Sequence, residues 1–373
     1  MTYKHLFRRF LEAVPGRLHF AAHSHHPWPD VTYEAHARYW DDSARMMDDK
    51  WGMIFGRVIP EARLRLAPLL GVRDPGTLVF APNTHELLTR LFSCLQPPVR
   101  IVTSDAEFHS FARQSRRWEE EGLATVVRVP AEPFASFPAR MVEASGSADL
   151  LYLSQVFFDS GYVTSDLEAI VHAAPAGALV VIDGYHGFMA LPTDIAAVAD
   201  RAFYLSGGYK YAMSGEGVAF MHCPPGYALR PVDTGWFASF DALTEAGSNV
   251  TYPEGGDRFW GATFDPSGLY RLIAVLRLLE AEAITPVSIH AQATALQNHF
   301  LDGRSLPGEL VPPAGNARGN FLTFQTGRAE DIYRSLHARG IITDFRGNRF
   351  RIGFGIYQDA EDVARLVEAL GRR

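Results

Sequence analysis

The stretch VVIDGYHGFMALPTDIAAVADRAFYLSGGYKYAMSGEGVAFM, residues 180–221, decides the fold. It holds three short, almost wholly apolar, β-branched runs, ending near Asp183, Ser206 and Met221, with Gly-rich and polar punctuation between them. Apolar runs of this length, without alternation, belong to strands covered on both faces. The same pattern recurs upstream at TLVFA (77–81), RIVTS (100–104), ATVVRV (124–129) and LLYLS (150–154). Helical stretches lie between the runs: THELLTRLFSCL (84–95), FARQSRRWEEEG (111–122) and SDLEAIVHAA (165–174). Strand–helix alternation of this kind predicts an α/β protein with a doubly wound, mostly parallel sheet.

Outside this region the pattern changes. A long helical stretch is expected over 267–302, then a strand at 320–326, a helix at 329–340, a strand pair around ITDF and RFRIGF, and a last helix at 359–370. That order predicts a smaller C-terminal α+β domain. The expected division is an N-terminal arm (1–54), a large domain (55–265) and a small domain (266–373). Pro-rich clusters at 129–138 and 306–313 read as loops.

Composition excludes several classes. The net charge is −7 without any Lys/Arg block, which argues against nucleic acid or an anionic membrane surface as partner. No apolar run approaches the roughly 18 residues of a membrane span, and the amino-terminal MTYKHLFRRFLEAVPG lacks the apolar core of a secretory signal. Two cysteines, Cys94 and Cys223, make neither a disulfide framework nor a Cys-rich zinc site. A cytoplasmic enzyme is the expectation.

Asp183 falls at the carboxyl end of an apolar strand, where open α/β sheets bind ligands. Lys210 follows the next strand and precedes a Gly-containing turn. A lysine desolvated there has a lowered pKa and a free amine suited to an imine with a carbonyl. An acid one strand away is the expected partner of a pyridinium nitrogen.

Asp183, His186, Tyr209 and Lys210 together resemble the site of fold-type-I pyridoxal-phosphate enzymes, specifically the class V aminotransferase superfamily and its kynureninase branch. The resemblance implies a large domain with a seven-stranded sheet and pyridoxal 5'-phosphate as cofactor. It makes Lys210 and Asp183 catalytic. Cofactor contacts would come from His186 and Tyr209, from Asn83 and Thr84 in APNTHELL, and from the ring-stacking Phe108 in SDAEFHSF, with His109 as its neighbour. Trp236, after Gly235, would lie near the phosphate, Thr263 would reach it across a homodimer interface, and Trp260 and Phe264 would wall the pocket. ITDFRGNRFRIGFGIYQDAEDV resembles the kynureninase C-terminal pattern, so Arg351, rather than Arg346 or Arg349, would grip the substrate carboxylate. His23 and Ser24 of HFAAHSHHPWPD, and Trp51, would face the substrate. His23, His25 and His26 lack the carboxylate or Cys at ligand spacing that a metal site needs.

The resemblance implies hydrolytic Cβ–Cγ cleavage of kynurenine or 3-hydroxykynurenine to anthranilate or its hydroxy analogue and alanine. The alternatives are a class V aminotransferase, epimerase or other lyase acting on another amino acid, and a non-catalytic binder that kept the fold. A desulfurase is disfavoured, because Cys94 falls in a helix pattern and Cys223 just after a buried strand.

Overall fold

The seven apolar runs form one sheet: β1 (Leu78–Ala81), β2 (Val99–Ser104), β3 (Ala124–Val129), β4 (Leu150–Ser154), β5 (Leu179–Asp183), β6 (Ala202–Gly207) and β7 (Ala219–His222). In this computed structural model, which describes residues 2–242, 249–302 and 307–371, their order is β1-β7-β6-β5-β4-β2-β3. β7 is antiparallel to both neighbours, and every other pairing is parallel. Every residue of β4, β5, β6 and β7 is buried, as expected of strands covered on both faces.

The connecting helices are α1 (Val31–Met46), α2 (Ile59–Leu70), α3 (Thr84–Phe92), α4 (His109–Glu120), α5 (Phe137–Ser145) and α6 (Leu167–Ala173). α3 starts where it does because Asn83 is extended and its side-chain oxygen accepts from the Glu86 N–H at 3.0 Å. The strand order reverses between β2 and β4, which opens a crevice at their carboxyl ends. Ser104, Ser154 and Asp183 are the last residues of β2, β4 and β5 and stand at that crevice.

A second sheet follows α7 (Ser267–Ala281) and α8 (Pro286–Leu301). It comprises β8 (Glu309–Val311), β9 (Phe321–Gln325), β10 (Asp344–Arg346) and β11 (Arg349–Gly353), antiparallel in the order β10-β11-β9-β8. α9 (Ala329–His337) and α10 (Ala360–Gly371) cover it, and Leu322, Phe324, Phe350, Ile352, Leu336 and Leu366 form its core. The amino-terminal segment adds Leu18 and Phe20 to that core, and Leu18–His19 pairs in parallel with Ile341–Ile342.

Two expectations are corrected. The helix expected over 267–302 is two helices, broken at 282–285. There Ala283 has φ +53°, and Thr285 caps α8 by accepting from the Ser288 N–H at 3.2 Å, with Pro286 in the first turn. The Pro-rich cluster at 306–313, read as a loop, contains β8, an edge strand whose Val311 pairs with Thr323 before Pro312 ends the ladder. Among the described residues, no helix is long and apolar enough to cross a membrane.

Candidate active site

The chain leaves β6 through Gly207 and Gly208, which have no room for a side chain. A Cβ on the first would sit 2.7 Å from the Tyr185 hydroxyl, and on the second 2.0 Å from Ser214 Oγ. This tight turn delivers Lys210 inward, where its side chain is buried. Lys210 Nζ lies 2.5 Å from His186 Nε2, 5.3 Å from the centre of the Phe108 ring and 5.5 Å from that of Tyr185. Burial, and after it the Arg351 guanidinium, lowers the amine to about 7 against the opposing pull of Asp183 and Asp344. Burial, then the lysine charge, also lowers the His186 imidazole, so that ring is neutral.

Asp183, at the end of β5, accepts from the Tyr185 N–H at 2.9 Å and from the Tyr152 hydroxyl at 2.7 Å. Burial raises its carboxyl above the ordinary range, while those two donors and Lys210 oppose the rise. Phe108 stands at the start of α4, partly exposed, with its edge against Phe158 at 5.4 Å. His109 packs on the same Phe158 ring at 4.8 Å. Thr84 opens α3 and is half-buried; the Asn83 side chain is engaged in the cap just described. Tyr209 is half-buried and meets His25 edge to face at 5.3 Å.

The small domain closes the other side. Arg351 is 2% exposed; one Nη donates to the Phe158 carbonyl and the other to Asp344, while Nε has no partner. Asp344 sits directly opposite Arg351 in the β10–β11 pairing. Arg346 donates to the same carboxylate at 2.5 Å but is half-exposed, and Arg349 turns to Asp159 and Glu132. Of the three candidate arginines, Arg351 is the buried one with an open N–H.

His23 is fully buried, stacked on Phe321 at 4.6 Å, and neither ring nitrogen has a hydrogen-bond partner. Its Nε2 stands 3.7 Å from Asp344, and burial with Arg351 lowers the imidazole to about 3. A Cβ at Gly353 would lie 2.3 Å from His23 Nδ1, so a glycine is required there to admit the ring. Ser24 sits in the adjoining turn, its N–H donating to the Ala21 carbonyl. The other arm histidines diverge from it. His26 is buried with Nδ1 on the Pro27 carbonyl, and His25 stacks on Trp28 near Glu216. Among the described residues, no three His, Cys, Asp or Glu side chains are placed to hold a metal.

A second group gathers around Phe237. Trp51 and Trp236 lie 5.1 and 4.3 Å from that ring, and Trp236 donates to the exposed Thr263 hydroxyl at 3.0 Å. Trp260 and Phe264 stack on each other at 5.6 Å beside it. Sequence reading passed over Tyr152, Glu107, Phe158 and Asp344. Tyr152, Glu107 and Asp344 lay inside quoted stretches without being singled out, because what joins them to the site are pairings distant in sequence.

Two cysteines complete the inventory. Cys223 follows β7, whose His222 pairs with Tyr204 while Ala219 pairs with Gly207, so it lies at the sheet edge opposite Lys210. Cys94 follows the carboxyl end of α3, away from Thr84. Burial pushes the Cys94 thiol up to about 12 and Cys223 well above its ordinary value.

A mostly parallel seven-stranded sheet, with a lysine and an acid at its strand ends and an antiparallel small domain, is the fold-type-I architecture of pyridoxal-phosphate enzymes. The chain belongs to the aminotransferase class-V family, whose model matches residues 21–366. It is 27% identical over 349 residues to isopenicillin N epimerase of Streptomyces clavuligerus, covering 83% of each chain. It is 25% identical over 338 residues to a probable cysteine desulfurase of Vibrio cholerae, covering 83% of this chain and 81% of the relative. Cysteine desulfurase of Thermococcus onnurineus NA1 shares the fold with TM-score 0.83 at 17% identity, over 99% of this chain and 97% of that one. The family match and these relatives correct one expectation: they support the superfamily and not its kynureninase branch, so hydrolytic Cβ–Cγ cleavage of kynurenine is set aside.

Proposed function

We propose that the protein is a pyridoxal-phosphate-dependent enzyme that moves the α-proton of an amino acid, as an epimerase or racemase does. The observation that carries this is Lys210: a buried amine lowered to about 7, bonded to His186, faced by Phe108 and one strand end from Asp183. The residues present fit the cofactor. Lys210 offers an uncharged amine to its aldehyde, Asp183 a buried carboxylate to its ring nitrogen, and Phe108 an aromatic face, with His186 as a neutral neighbour. Thr84 and the first N–H groups of α3, with Tyr209, suit its phosphate. Asn83 holds that helix end in place. When bound, the cofactor supplies an electron sink for the bond broken at the α-carbon.

The chain's own groups do the rest. Arg351 presents its unpartnered Nε to the substrate carboxylate, with the unpartnered His23 ring beside it. Lys210 takes the proton at the α-carbon and returns a proton to either face of that carbon, so that exchange is accompanied by inversion, a transfer that favours a base with pKa near the working pH. Phe108 and Tyr185 present their rings to that lysine at 5.3 and 5.5 Å.

Relatives named as cysteine desulfurases suggest sulfur chemistry, but both cysteines here lie far from Lys210 with thiols held protonated. The hairpin between β10 and β11 turns at Gly347–Asn348, which leaves no loop to carry a further nucleophile to Arg351. The enzyme is therefore read as acting on carbon, with α-proton exchange as its test; cysteine is included in the substrate panel so that sulfide release is also read.

A homodimer completes the reading. Tyr33, Trp40 and Met47, spaced by seven along α1 and just past its end, are 60–71% exposed, and Thr263 and Trp236 are exposed beside the aromatic group. Light scattering is expected to give twice the 41.3 kDa chain mass, and a monomer at micromolar concentration would contradict it.

A further inference from the structure

Glu107 is a buried acid with no part in the reading above. It lies in the turn between β2 and α4, one residue before Phe108, and is 4% exposed. Its Oε1 accepts from Ser104 Oγ at 2.5 Å and from the Ser154 N–H at 3.3 Å, while Ser154 Oγ also donates to Oε2. The carboxyl thus clasps the last residues of β2 and β4, at the point where the strand order reverses.

Ser154 pairs in register with Asp183. Two carboxyls therefore share one buried strand end. Burial first, and the Asp183 charge with it, raises Glu107 to about 7 against the pull of its serine donors. The titratable groups facing it are Asp183 from β5 and Tyr152 from β4; Asp105, on its own turn, is taken up by the Ala131 N–H at 2.8 Å. A glutamine would hold two hydroxyls without the cost of burying an acid.

We propose that Glu107 is a positioning residue that acts through its neighbours: it anchors the turn presenting Phe108 to Lys210 and sets a second buried carboxyl against Asp183. The proposal rests on the reading of this crevice as the cofactor site. An added negative charge there strengthens Asp183's hold on a proton or a cationic ring. Its removal weakens that hold.

The test is the pH titration of the visible absorption band of the cofactor-loaded protein, compared between wild type, Glu107→Gln and Glu107→Asp. Glutamine keeps the shape and loses the charge, so the midpoint is expected to fall by about one pH unit. Aspartate keeps the charge and is expected to recover part of the shift. An unmoved midpoint in Glu107→Gln overturns the proposal, because anchoring alone does not require a charge. Should that variant fail to fold, Ser154→Ala replaces it. Losing one donor leaves Glu107 more often protonated, so a smaller downward shift is expected and an unmoved midpoint again overturns the proposal. A wild type that takes up no cofactor contradicts the functional reading itself, an outcome distinct from a titrating band that ignores residue 107.

Discussion

Lys210→Ala is expected to abolish the visible band that pyridoxal phosphate gives with the wild-type protein, and to lower turnover at least about 10³-fold. The reason is geometric. The tight Gly207–Gly208 turn places one amine at the crevice, against His186 and Phe108, and the structure offers that crevice no second lysine in its described contacts. Because burial lowers this amine to about 7, its uncharged form grows as pH rises through that value. Capture of pyridoxal phosphate by apoprotein should accelerate over the same interval. The change in absorbance after mixing checks both, and borohydride should bleach the wild-type band permanently. A variant that keeps the band would show that the cofactor is held some other way.

Asp344→Ala is expected to cost about 3–5 kcal/mol of stability, read from the urea unfolding midpoint at neutral pH. Arg351 is buried with Asp344 as its ion-pair partner, and without it the guanidinium keeps only the Phe158 carbonyl. Burial alone would raise the Asp344 carboxyl, yet His23 and the Arg351 and Arg346 guanidiniums outweigh it and hold the group well below the usual carboxylate range. The folded state therefore binds this proton more weakly than the unfolded chain. The stabilisation is complete above about pH 4 and fades as pH falls below it. The gap between wild type and Asp344→Asn should narrow over that acid range. A gap independent of pH would mean that the carboxylate charge contributes nothing.

What was legible in the sequence follows from what each feature depends on. The central strands β4–β7 were readable because a strand buried on both faces must be largely apolar, and the edge strand β3, only partly buried, was readable from its β-branched run. Asp183 and Lys210 were readable for the same reason: each is a polar break at the end of such a run. The break at 282–285 was written locally in Thr285–Pro286 and was overridden by the apolar periodicity on either side. β8 was hidden because Pro312 and Gly308 bracket a run of only three residues, whose partner is β9. Glu107 shows where reading stops. A Ser-x-x-Glu spacing is visible, but the serine that completes the clasp is 47 positions away and meets it only through sheet order. Likewise Arg351 was chosen over Arg346 and Arg349 on the resemblance alone; its burial against Asp344 depends on the two lying opposite each other in a hairpin. The reaction was less legible than the cofactor, because the proposed cofactor contacts Asp183 and Lys210 lie at or just past strand ends, while the proposed substrate contacts lie partly on the arm.

The most direct measurement is proton NMR of an amino-acid panel, cysteine included, incubated in D₂O with the cofactor-loaded enzyme and, in parallel, with Lys210→Ala. The account predicts loss of the α-proton signal for at least one amino acid, with inversion of its configuration on chiral chromatography, no sulfide from cysteine, and no exchange in the variant. Sulfide release from cysteine, or retention of every α-proton across the panel, would contradict it.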